Sequence, residues 1–148
     1  MTKIKVALSV LLLFQIGSAL AGSGSSVIPW WARDTNTMTF INVSNISDSQ
    51  VKVCIKLFDH TGSLYTTGVT AGLAFVGNPV NSSCATLEAK QTGSISVAKT
   101  TAPNINGYGT IEWSSTGDQS VAMVAYGGYQ QSAFYMSGSI TINGSRPF

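Results

Sequence analysis

The stretch QVKVCIKLF, residues 50–58, puts an aliphatic side chain at every second position. In an extended segment this sets Val51, Val53, Ile55 and Leu57 on one face and Lys52, Cys54, Lys56 and Phe58 on the other. A helix would need apolar residues three and four apart, and the stretch does not supply them. It is a strand with one buried face. Cys54 points to the lysine side, away from the core.

Working outward, the same signature recurs between clusters of Gly, Asn, Asp and Ser. The predicted strands are TMTFINV (37–43), QVKVCIKLF (50–58), SLYTTGV (63–69), GSISVAK (93–99), YGTIEW (108–113), QSVAMVAYG (119–127) and AFYMSGSITI (133–142). Helical periodicity is absent after residue 21. The expected fold is all-β: a single immunoglobulin-like two-sheet β-sandwich of about seven strands. Strand 119–127 is apolar on both faces, which predicts a central strand covered on both sides. DHTG (59–62) and SSTGD (114–118) each carry a glycine suited to a tight turn. NVSNIS (42–47) reads as a strand end running into a turn. The apolar stretch TAGLAFVGNPVNSS (70–83) carries no strand assignment, and loops of this length are often functional or hold a small strand of their own.

The first 21 residues have a different layout: Lys3 and Lys5, the apolar run VALSVLLLFQI (6–16), then small residues ending at Ala19 and Ala21. This is the pattern of a cleavable signal peptide, because the apolar run is too short to span a bilayer. The expected organisation is a signal peptide at 1–21, an extended N-terminal segment at 22–35 and a β-sandwich domain at 36–148. No later segment is long and apolar enough for a membrane span in the mature chain. The expected location is outside the cytoplasm: extracellular, at the cell surface or in a periplasm.

Past residue 21, Arg33, Lys52, Lys56, Lys90, Lys99 and Arg146 face Asp34, Asp48, Asp59, Glu88, Glu112 and Asp118, so the charges balance. A neutral chain with scattered charges has no electrostatic footprint for phosphate backbones, and nucleic acid is not an expected partner. The two cysteines, Cys54 and Cys84, are bound for an oxidising compartment and read as one disulfide holding the intervening loop against the outside of a sheet; two buried free thiols are the rival reading. Closing a loop of about 30 residues contributes ~3–4 kcal/mol in the chain-entropy view.

Catalytic chemistry is sparse. His60 is the only histidine and sits in a predicted turn, so no metal site and no cofactor are expected. No serine occupies a nucleophile elbow and no helix follows a Gly-rich loop. A small hydrolase could pair Glu112 with Asp118 or with Asp59. Asn-x-Ser sequons begin at Asn42, Asn45, Asn81 and Asn143, and matter only where a host glycosylates them. Aromatics remain. Exposed Trp and Tyr serve as platforms for sugar rings and as interface anchors. Trp113 shares a face with Ile111 and belongs to the core. Tyr108 and Tyr135, on the polar faces of their strands, and Trp30 and Trp31 in SSVIPWWARD (25–34) are the candidate binding residues. Successive side chains of an extended segment point to opposite faces, so only one of the two adjacent tryptophans enters the core.

TFINVSNISDSQVKVCIKLFDHTGSL (39–64), LEAKQTGSISV (87–97), GYGTIEW (107–113) and AMVAYG (122–127) resemble secreted bacterial immunoglobulin-like sandwich modules, with an N-V-S-N turn, a D-x-x-G hairpin and a G-x-G-x-I-E-W strand. The resemblance implies the fold and export, and it carries over no catalytic residue. The cysteine pair and the 70–83 loop depart from the general pattern. The expected function is non-enzymatic: a secreted or cell-surface module acting in self-assembly or adhesion, with a protein partner or a second copy. Carbohydrate binding through exposed Trp and Tyr is the alternative, and a small secreted hydrolase the third reading.

Overall fold

The computed structural model describes residues 22–75, 83–101, 103–115, 121–132 and 136–148. The predicted signal peptide, most of the second half of the 70–83 loop, the SSTGD turn beyond Ser115, Asp118, Asn81 and Tyr135 lie outside them. Among the described residues nine strands follow in chain order: β1 Ser23–Arg33, β2 Thr37–Asn45, β3 Val51–Asp59, β4 Val69–Leu73, β5 Ser83–Leu87, β6 Thr92–Val97, β7 Ile105–Ser114, β8 Met123–Gln131 and β9 Met136–Thr141. They form two antiparallel sheets, one ordered β1-β7-β3-β5 and the other β4-β6-β2-β8-β9. The fold is an all-β sandwich, and among the described residues no helix is long and apolar enough to cross a membrane.

The alternation read from β3 holds. Val51, Val53, Ile55 and Leu57 are buried and meet Ile41, Val43, Ile95 and Met123 from the opposing sheet in one core. Trp113 joins them. Of the eight steps between successive strands only β8 to β9 stays within a sheet; every other step crosses the sandwich. Neighbours are therefore distant in sequence, as when β7 pairs with β1 on one side and β3 on the other.

Nine strands stand where about seven were expected. The extended 22–35 segment supplies β1, an edge strand of the four-stranded sheet rather than an arm ahead of it. The 70–83 loop contains most of β4 and leads into β5. Stretch 63–69 is not a strand: after the DHTG turn, where Gly62 takes φ +83°, Leu64 makes one bridge to Phe58 and the chain leaves for the other sheet. Gly68, at φ +68°, breaks the extended geometry. Strand 119–127 was expected to be covered on both sides. β8 is central, between β2 and β9, but only its Met123 and Ala125 face lies in the core; on the other face Gly128 is covered by Phe40 while Tyr126 is 55 % exposed. Its neighbours there are Asn42 and Thr141, which cannot hold a further apolar layer.

Cys54 and Cys84 are joined and lie directly opposite each other on β3 and β5. The disulfide sits on the outer face, as the lysine-side position of Cys54 predicts, and it ties an edge strand rather than a loop.

Asn45 ends β2 and organises the following turn. Its amide donates to the carbonyls of Ser49 (2.7 Å) and Glu88 (3.0 Å), and its side-chain oxygen accepts from the Ser47 N–H. At 1 % exposure it is unavailable as a glycosylation acceptor.

Candidate functional site

β1 pairs with β7 in steady register from Ser23 to Ile28 and resumes at Trp31 opposite Gly107, so Pro29 and Trp30 together oppose Tyr108. This is a β-bulge with one extra residue. Proline lacks a ladder donor and is tolerated at such a place on an edge strand. The bulge resets the alternation: Ile28, Trp31 and Arg33 face inward, while Pro29 and Trp30 are both exposed.

Trp31 is fully buried. Its indole N–H donates to the carbonyls of Phe58 (3.0 Å) and Tyr108 (2.9 Å), gripping β3 and β7 from below. Its ring packs on Tyr65 at 4.6 Å. The buried Arg33 guanidinium donates to the Tyr65 hydroxyl (2.8 Å) and the Thr67 carbonyl (2.6 Å). Together with the short hairpin bonds from the Asp59 N–H to the Ser63 carbonyl and from the Tyr65 N–H to the Leu57 carbonyl, these contacts hold segment 63–68 in place. Gly107 is required here, because a Cβ would collide with the Phe58 carbonyl oxygen and come within 2.8 Å of the Asp59 Cα.

The outer face above this anchor carries a band of apolar side chains running across the strands. Leu64 bridges to Phe58, Phe58 lies opposite Tyr108, and Tyr108 faces the bulge at Pro29 and Trp30. The Phe58 and Tyr108 rings stack at 5.1 Å. Trp30 turns over the edge of the sandwich to meet Tyr129 of the other sheet edge-on at 5.4 Å. Leu64, Tyr108, Trp30 and the adjoining Val27 are 49, 44, 39 and 58 % exposed. Beside the band Lys56 and Glu112 form an ion pair at 2.7 Å. A groove of about 480 Å³ then opens among Ser23, Ser25, Lys52, Cys54, Glu112 and Ser114.

Tyr108 and Trp30 are thus surface residues, Trp31 is core, and Tyr135 is outside the described residues. Phe58 was on the outer face by alternation and could have been read as its neighbour; Val27 could not, since β1 was not recognised as a strand. Of the carboxylate pairs proposed for hydrolysis, Glu112 and Asp59 do not meet, and Asp118 lies outside the described residues. Glu112 lies opposite Cys54, and Asp59 is five residues along β3 from there, about 17 Å away. Glu112 is taken by Lys56. The Asp59 carboxylate accepts from the Thr61 hydroxyl and from the Thr61 and Ser63 N–H groups, which hold its pKa low. His60 is exposed in the same turn. Among the described residues no three metal-binding side chains converge. The arrangement can offer an apolar, aromatic surface to a partner. Compared with family models, curated proteins and solved structures, the chain matches none.

Proposed function

We propose that the chain is an exported, non-enzymatic binding module of immunoglobulin-like sandwich type that self-associates, or adheres to a protein surface, through the band of Leu64, Phe58, Tyr108 and Trp30. The observation that carries this reading is the band itself: Leu64, Phe58 and Tyr108 run across the outer face of a sheet whose other outer positions are mostly polar, and Trp30 and Val27 continue the apolar surface at its edge. Such patches mark interaction sites on otherwise polar proteins. A disulfide and the leader-like first 21 residues are compatible with export. Stacked aromatics flanked by a neutralised ion pair suit a self-complementary interface, in which each patch meets its own copy.

Sedimentation velocity over a wide concentration range tests the proposal. The wild-type chain is expected to show a concentration-dependent dimer that the pair Leu64→Ser and Tyr108→Ser abolishes while the circular dichroism spectrum is kept. A wild-type monomer throughout, with wild type and variant equally retained on cell-surface preparations, overturns it. Removing residues 22–35 is not a usable test, since that takes away a strand of the sheet.

A further inference from the structure

The five strands of the second sheet, VTAGL, TGSISV, TMTFINVSN, MVAYGGYQQ and MSGSIT, contain no Asp, Glu, Lys, Arg or His. The described ionisable acids and bases lie in turns, at the chain's end or on the other sheet. On the outer face of this sheet one row runs Gly72, Ser94, Asn42, Tyr126, Thr141, and the next runs Thr70, Ser96, Phe40, Gly128, Ser139. Phe40 lies across Gly128, where its ring occupies the space a Cβ would need. It forms a flat apolar floor. Tyr126 stands beside it on the next strand, 55 % exposed. Hydroxyls and amides flank the two rings along their rows, and the outward Met38 and Val124 extend the apolar surface along the strands.

We propose that this face binds a neutral polysaccharide, with Tyr126 and Phe40 as the platform for sugar rings and Asn42, Ser94, Ser96 and Thr141 as its hydrogen-bonding rim. The ligand class follows from charge and chemistry. A protein interface of this size draws on Arg and a charged rim for orientation and steering, and this face has none. An anionic glycan or lipid surface would find no cation. A neutral glycan presents C–H faces and hydroxyls alone, and aromatic rings amid neutral donors and acceptors match both. The proposal concerns a different surface from the band on the first sheet and stands or falls separately from it.

Affinity electrophoresis of the purified chain in gels holding hydroxyethylcellulose, xylan, laminarin, galactomannan or glycol chitin tests it, with alginate as the charged control. Retardation is expected in at least one neutral gel and to be insensitive to salt. Tyr126→Ala is expected to weaken it roughly tenfold or more, the scale of truncating an aromatic anchor. Asn42→Asp, which keeps the shape and adds a charge, is expected to weaken it too, and Tyr108→Ser to leave it unchanged. No retardation in any neutral gel overturns the proposal. So does equal retardation of wild type and Tyr126→Ala, or binding confined to alginate and lost in salt.

Discussion

Two buried tryptophans differ in what their indole N–H groups meet. That of Trp31 donates to the Phe58 and Tyr108 carbonyls, whereas that of Trp113 has no acceptor among the described residues. Replacement by Phe removes similar volume at both sites, so the comparison isolates the hydrogen bonds. Trp31→Phe should cost roughly 1–3 kcal/mol more than Trp113→Phe in urea unfolding, and equal midpoints would refute this. Asp34 offers a pH test. The Asn36 N–H first of all, then the Thr37 hydroxyl and N–H, favour its ionised form and lower its pKa from 3.8. The unfolded chain therefore binds the proton more readily. This contribution to stability is complete above about pH 4 and is lost as pH falls through the lowered folded value. Asp34→Asn should flatten that part of the acid-unfolding curve; an unchanged curve would count against the assignment. That only one of Trp30 and Trp31 enters the core was legible from alternation. Which one was not, because the bulge at Pro29 reverses the phase and leaves no trace in the hydrophobic pattern.

At the scale of elements, the bulge predicts an unusual tolerance. Between Ile28 and Trp31 two residues of β1 oppose Tyr108 alone, so deleting Pro29 restores one-to-one pairing and leaves Ile28 and Trp31 facing inward. The deletion should fold with the buried-tryptophan fluorescence retained, whereas deleting Val27 should shift Ser23–Ser26 by one position and lose the native near-UV circular dichroism. Loss of structure in both would remove the bulge argument. The disulfide gives a second prediction. Replacing Cys54 and Cys84 together by Ala should lower stability by ~3–4 kcal/mol in the loop-entropy estimate, read from urea midpoints with wild type under oxidising conditions. No change would show that β5 is held by its ladder to β3 alone. Long alternating strands such as β2 and β3 were legible. β1 and β4 were not, because Ser23–Ser26 and the glycine-broken VTAGL carry too few large apolar residues to show a period. Tyr126 was hidden for the opposite reason, since its small apolar neighbours suggested a second covering layer.

For the whole molecule, the repeated crossing between sheets makes nearly all strand pairing non-local. Folding should then belong to the slow end for its size, milliseconds to seconds or longer after dilution from urea; stopped-flow fluorescence finishing in microseconds would contradict it. The same connectivity imposes a timetable on synthesis. β1 is made first, but its ladder partner β7 ends about 80 residues later. At roughly 5–20 residues per second, translation leaves β1 without that partner for about 4–16 s. A nascent chain that cannot close its first sheet stays threadable, and helpers that hold emerging polypeptides have seconds in which to reach it.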